Sequence, residues 1–391
     1  MPNAFARYSI PSLLFTLITV SIAPAAERVV DLTAKDGAKL KATYFAAGKP
    51  GPGVLLLHQC NRDRKVWNGL AQQLNAAGIN VLTLDYRAFG ESAGVPHEKA
   101  TPQELNDEVA KWPGDIDVAY EYLVSQPGVE RDAIGVGGAS CGVNNSIQAA
   151  IRHPEVRSLV LLSGNTNYDG RQYLRRDKAA PVFFAYAVDD PIPPSAFAIQ
   201  WLYSLTAVPG KKLVHYPNGG HGSDIFHAHP ELMKAITDWY VTTLIKTPGK
   251  APATDEAVAL PPEVYVLDTI DQPSGPAKIE AQLEQARQHD PKATLFDEQL
   301  VNLMGYEHMQ AGDVKGAIEI LKLNAVAYPN SPNVYDSLGD VYLADGQGDL
   351  ARQNSRKALA LLPSDTTDDQ QRKDAIKANA EGKLRQLDGE P

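Results

Sequence analysis

Six short, largely apolar runs constrain this chain more than any other feature: Val54 to Leu57, Val81 to Leu84, Ala133 to Gly137, Leu159 to Leu162, Val182 to Ala187 and Lys212 to Tyr216. A strand with one wet face alternates apolar and polar side chains. Continuous apolar runs separated by helix-length segments instead indicate strands buried on both faces of a parallel sheet. The intervening segments are amphipathic, as in Trp67 to Ala77 and Ile116 to Ser125, so helices are expected on both faces. Arg28 to Leu32 and Lys39 to Tyr44 are expected to form an antiparallel edge. The expected class is α/β, with a mostly parallel sheet over residues 27–245. At 391 residues the chain exceeds one compact core and implies two domains.

Residues 246–265 are expected to be a linker, because the stretch KTPGKAPATDEAVALPP lacks apolar periodicity and is rich in Pro, Ala, Thr and Gly. An internal repeat follows within residues 276–391. Gly305 recurs as Gly339, Gly312 as Gly346, Ala317 as Ala351 and Pro329 as Pro363, each 34 residues later. Small residues let paired helices approach closely, and a proline ends the second helix of each unit. The period and these positions resemble the tetratricopeptide repeat. Helices near Ala277 to His289 and Asp368 to Leu387 are expected to flank and cap the stack.

Residues 1–25 read as a signal peptide, with Arg7, an apolar stretch from Leu13 to Ile22, and Ala23-Pro24-Ala25 as the cleavage site. The apolar stretch falls short of the ~20 residues a membrane span requires. A periplasmic or secreted protein is expected, with no membrane span after processing. The formal net charge of −10 argues against a nucleic-acid partner, which needs a clustered basic surface. Two cysteines, Cys60 and Cys141, are too few for a disulfide scaffold or a structural zinc site.

The chemistry centres on Gly138-Ala139-Ser140-Cys141-Gly142, between the strand-like Ala133 to Gly137 and the helix-like Asn144 to Arg152. Strand, G-x-S-x-G, helix resembles the nucleophile elbow of α/β hydrolases, where a sharp turn lifts the serine hydroxyl above the sheet. In that fold an acid and then a histidine follow the nucleophile in chain order. Asp189 and Asp190 close one strand-like run, and His221 sits in Asn218-Gly219-Gly220-His221-Gly222 after the next. Sites in open α/β sheets are built at these carboxyl ends. Asp190, which precedes Pro191-Ile192-Pro193, is the expected acid, with Asp189 capping the turn. His221 is the expected base, and His153, His227 and His229 are expected to be structural or solvated. Serine is a poor nucleophile until a base takes its proton, and a carboxylate then steadies the imidazolium.

Two backbone N–H groups must meet the developing oxyanion. Cys141 and Cys60 are the expected donors, with Gln59 the alternative in the loop Leu57-His58-Gln59-Cys60-Asn61. Both cysteines thus fall at oxyanion-hole positions. They are either bonded, tying its halves together, or two small buried thiols. A Cys141 nucleophile is the sharper alternative, at the expense of the Gly138/Gly142 symmetry.

Residues 27–245 are similar to α/β hydrolases of the dienelactone-hydrolase-like or small-esterase group. Asp85-Tyr86-Arg87-Ala88-Phe89-Gly90-Glu91-Ser92 resembles the group's D-x-R-G-x-G-x-S loop, with Ala88 where Gly is common, and Gln59 stands where the oxyanion loop usually has Gly. Arg87 and Ser92 are expected to hold that loop, and Asp115 to lie on the helix before the elbow. The resemblance implies acyl transfer to water from a small-molecule acyl substrate through an acyl-enzyme on Ser140, with no metal or organic cofactor. Carboxylic esters are the first expectation; a peptidase or amidase, or a non-catalytic binding protein, are alternatives. No long insertion separates Leu162 from Pro181, so an open site is expected. The repeat segment would serve docking to a protein partner or self-association, or simply cover part of the hydrolase.

Overall fold

Burial alternates within the strands as a doubly covered sheet requires: in β3 (Gly51–Leu57), Leu55 and Leu57 enter one core while Val54 and Leu56 enter the other. The computed structural model describes residues 27–192, 194–251 and 258–389. The expected signal peptide, Pro193 and residues 252–257 of the expected linker therefore lie outside the described residues. The other strands are β1 (Glu27–Thr33), β2 (Lys39–Phe45), β4 (Asn80–Leu84), β5 (Val129–Ala139), β6 (Val156–Leu162), β7 (Val182–Ala187) and β8 (Lys211–Tyr216). They form one sheet in the order β1-β2-β4-β3-β5-β6-β7-β8. β1 pairs antiparallel with β2 and β2 with β4, while β4, β3 and β5 to β8 run parallel.

The register sets where the loops emerge. Leu57 pairs with Gly138, Ala139 with Leu162, Leu162 with Ala185 and Ala187 with Tyr216. The loops that begin at His58, Ser140, Ser163, Val188 and Pro217 therefore leave one edge of the sheet together, which is where such sheets build their sites.

Helices α1 (Asn68–Ala76), α2 (Pro102–Val109), α3 (Trp112–Ser125), α4 (Cys141–Arg152), α5 (Tyr168–Leu174) and α6 (Ser195–Leu205) connect the strands, and α7 (Ile225–Ala228) and α8 (Glu231–Tyr240) follow β8. α1 and α8 bury their apolar faces in one core, and α3, α4 and α6 in the other. The loop after β4 is held as expected. Arg87 donates to Asp115 from Nε (2.6 Å) and Nη2 (2.7 Å), and to Asp36 from Nη1 (2.6 Å) and Nη2 (2.9 Å). Those bonds from Arg87 hold the exposed Asp36 carboxyl down to about 2. Burial pushes the Asp115 carboxyl up, with Arg87 opposing the shift. Ser92 Oγ donates to the Asp85 carbonyl at 2.7 Å, and Ala88 takes the left-handed φ of 67° in place of the commoner glycine.

Seven further helices complete the described chain: α9 (Pro262–Ile270), α10 (Gly275–His289), α11 (Glu298–Gln310), α12 (Val314–Ala327), α13 (Pro332–Ala344), α14 (Gly348–Leu361) and α15 (Gln370–Asp388). α9 starts inside the expected 246–265 linker, because Pro262 suits a first helical turn and Val264 and Leu267 are buried. Both bounds of α11 and of α12 recur 34 residues later in α13 and α14. A Cβ on Gly305 would meet Leu321, and one on Gly339 would meet Ser355, so equivalent close approaches recur as well.

The first of these helices are not detached from the sheet. Val264, Leu267, Ile279, Leu283 and Met304 belong to the same apolar core as Ile199 and Leu202 of α6. A buried ion network crosses the junction. Arg171 of α5 donates from Nε to both Asp271 oxygens (3.0 Å) and from Nη2 to Oδ1 (2.8 Å), and its Nη1 pairs with Glu307 of α11. His308 Nε2 reaches Asp271 at 3.0 Å, and the His308 ring packs on Tyr168. The starts of α5 and α6, at the site edge, thus have the C-terminal helices beside them.

Candidate active site

Ser140 ends β5 with φ 55° and ψ −120°, and α4 begins at the next residue. A non-glycine residue with positive φ is sparsely populated and strained by about 1–3 kcal/mol, which persists only where the surroundings enforce it. Here they do. A Cβ on Gly138 would lie 2.0 Å from the Gly142 carbonyl oxygen, and one on Gly142 would lie 2.4 Å from the Leu57 carbonyl oxygen. Only glycine fits on either side of the serine. The Ser140 amide donates to the Leu162 carbonyl at 2.9 Å, which pins the turn to β6. The amide of Cys141 opens a helix and so has no intrahelical acceptor.

His221 is 3 % exposed and its Nδ1 lies 2.9 Å from each Asp190 oxygen. The side chain of Asp190 is equally buried. Asp189 points elsewhere, accepting from the Gly220 amide at 2.9 Å. The neighbouring carboxylates therefore divide, Asp190 on the imidazole and Asp189 on the turn. His221 Nε2 is buried and has no hydrogen-bond partner. Catalytic hydrogen bonds are often unformed without substrate.

Two of the other candidate histidines, His153 and His229, make their contacts elsewhere. His153 stacks on Tyr120 and meets Asp117 at 2.9 Å, and His229 meets Asn218 at 3.0 Å. Ser140, Asp190 and His221 come from the carboxyl ends of β5, β7 and β8.

The loop after β3 closes the other side. Cys60 and Cys141 are joined as a disulfide with Cα atoms 5.9 Å apart, so of the two alternatives the structure carries the bonded one. The Cys141 sulfur is thereby engaged. Burial pushes the His58 imidazole down, its contact with the Gln59 carbonyl opposing. Nε2 of His58 accepts from the Tyr86 amide at 3.2 Å, which leaves Nδ1 to donate to the Gln59 carbonyl at 2.8 Å.

Sequence reasoning missed two features: the side chain of Gln59, which reaches the His221 loop, and the Arg171 network. Glutamine in place of glycine was the available signal for the first. Nothing local marks the second.

The family described as "BAAT / Acyl-CoA thioester hydrolase C terminal" matches residues 116–186, which include Ser140 and stop before Asp190 and His221. Thiohydrolase aneE of Aspergillus aculeatus is 30% identical over 134 residues, covering 34% of this chain and 39% of that protein. The uncharacterized protein Rv2307c of Mycobacterium tuberculosis is 32% identical over 149 residues, covering 38% and 48%. The chain thus spans between about 39% and 48% of the length of these relatives. Among solved structures, the esterase Pf2001 of Pyrococcus furiosus aligns at a TM-score of 0.46 and 19% identity, over 61% of this chain and 100% of that one. A dienelactone hydrolase from Anabaena variabilis aligns at 0.47 and 19%, over 57% and 100%. The eight-stranded sheet, its order and the strained serine turn fit an α/β hydrolase.

Proposed function

We propose that this protein is an exported serine hydrolase that cleaves carboxylic esters or thioesters of small acyl substrates. The observation that carries the reading is the pairing of a strained Ser140 turn with a buried His221–Asp190 contact at the same sheet edge. Ser140 Oγ attacks the acyl carbonyl carbon while His221 Nε2 takes its proton, and Asp190 steadies the imidazolium. The amides of Cys141 and Cys60 receive the oxyanion, with Gln59 the alternative to Cys60. The leaving alcohol or thiol takes its proton from His221, and water then releases the acid by the reverse roles. No metal or organic cofactor takes part in this scheme.

The thioester option is favoured by the family match across Ser140 and by the thiohydrolase relative. Export is supported by the N-terminal signal-like segment and by the Cys60–Cys141 bond, since disulfides persist in oxidising compartments. The helices from α10 onward are read as a tetratricopeptide-like domain for docking or self-association, on the recurrence of helix bounds at 34 residues.

Labelling of the purified protein with a fluorophosphonate, followed by parallel ester and acyl-thioester assays, tests the reading. Labelling and turnover lost in Ser140→Ala are expected. An unlabelled wild type, or label retained in Ser140→Ala, overturns it.

A further inference from the structure

Gln59 is fully buried, and both arms of its carboxamide are engaged. Oε1 accepts from the Ser223 amide at 2.7 Å and from Ser223 Oγ at 2.8 Å. Nε2 donates to Asn61 Oδ1 at 3.0 Å and to the His221 carbonyl at 3.4 Å. An amide N–H only donates, so the Ser223 contact fixes which arm of Gln59 is oxygen. Gly222 lies between the two gripped residues at φ 60°, and a Cβ there would sit 2.5 Å from Gln59 Oε1. Glycine is needed at 222 because the Gln59 amide occupies that space.

The loop carrying His221 is thus held from two sides. Asp189 and Asp190 take Gly220 and the imidazole from the β7 side, and Gln59 takes the backbone at 221 and 223 from the β3 side. Arg62 adds a forked pair to Asp224 at 3.0 and 3.1 Å, exposed and therefore worth little by itself. The residue after Gln59 is Cys60, bonded to the residue that follows Ser140. Adjacent positions of one loop therefore reach both the nucleophile turn and the base loop.

We infer that Gln59 is a positioning residue that sets His221 against Ser140. The inference rests on the reading of Ser140 and His221 as nucleophile and base. Nε2 of His221 has no partner, so no bond on that side of the ring fixes its aim. Asp190 alone leaves the ring a pivot at Nδ1, and the anchoring of the 221 and 223 backbone removes it. The job requires an amide: a carboxylate would face the His221 carbonyl with a second acceptor, and a hydrocarbon would leave the Ser223 amide unpaired. Displacement of a catalytic group by ~1 Å costs on the order of 100-fold in rate.

The test uses the full chain with Gln59→Met, which keeps the volume and removes the bonds, and Ser223→Ala, which removes one hydroxyl. Folding is read by circular dichroism and Tm, chemistry by the fluorophosphonate labelling rate and by kcat and KM on a p-nitrophenyl ester. The Asp190–His221 contact is read by the low-field proton resonance of the Nδ1–H. Folded Gln59→Met is expected to keep KM within about twofold and to lose about 10- to 100-fold in kcat and labelling rate, with the low-field line broadened. Ser223→Ala is expected to lose less in the same direction, and the double variant no more than Gln59→Met, because coupled residues are not additive. Wild-type labelling rates in folded Gln59→Met overturn the inference while leaving the hydrolase reading intact. Should Gln59→Met fail to fold, an unchanged kcat in Ser223→Ala overturns it instead. A wild type that labels no faster than Ser140→Ala overturns both.

Discussion

Cys60 and Cys141 are bonded across 81 residues of sequence, linking the loop after β3 to the residue that follows Ser140. A cross-link over so long a loop removes much freedom from the unfolded chain, about 4.5 kcal/mol in the loop-entropy account. It also fixes the separation of the two segments that supply the proposed oxyanion donors. The double substitution Cys60→Ala with Cys141→Ala is expected to lower unfolding free energy by about 2–4 kcal/mol in urea. The same variant, below its unfolding midpoint, is expected to label with fluorophosphonate more slowly than wild type. Equal midpoints with and without reductant in the wild type would count against a stabilising role.

Asp190 and Asp189 are adjacent and chemically identical, yet only Asp190 meets the imidazole. Asp190→Asn replaces the carboxylate that steadies the imidazolium and is expected to lower kcat by about 10³- to 10⁴-fold, as in other triads of this logic. Asp189→Asn keeps an oxygen able to accept from the Gly220 amide, so a change of less than about tenfold in kcat is expected. Steady-state kinetics on one ester separate the two. Comparable losses in both variants would mean that the turn, rather than the imidazole contact, is what the pair maintains.

The parts legible in sequence were those written in contiguous residues. Val54 to Leu57 and Val182 to Ala187 announce buried strands because every position meets a core. Gly138 and Gly142 announce the turn because no larger residue fits. The choice of Asp190 over Asp189 rested on the proline loop behind it, and Asp190 is the one of the two that contacts His221. The start of α9 was hidden by the Pro- and Ala-rich segment before it, although Val264 and Leu267 keep helical spacing. Arg171 meets Asp271 across 100 residues and Glu307 across 136. No periodicity links such positions, so only tertiary structure assembles them.

That network gives the C-terminal helices a pH-dependent hold on α5. Burial raises the Asp271 carboxyl, but Arg171, His308 and Arg175 outweigh it and leave Asp271 below the ordinary range. A depressed carboxyl contributes stability above its unfolded value, near 3.8, and that stability is lost as pH falls below it. Glu307 behaves oppositely: burial outweighs Arg171 and raises it above 4.5. A raised carboxyl costs stability when ionised, and that cost is relieved as pH falls through the raised value. The Glu307 contribution to thermal stability is therefore expected to improve as pH drops toward 4.5, and the Asp271 contribution to be lost below 3.8. Glu307→Gln is expected to remove the Glu307 share of that gain and leave the share of other raised carboxyls such as Asp115. Asp271→Asn leaves Arg171 short of a buried partner and is expected to cost about 3–5 kcal/mol at neutral pH, with the acid-side loss flattened. Scanning calorimetry of the three proteins across this range decides it: an acid-side profile that Glu307→Gln leaves unchanged would assign the gain wholly to other carboxyls.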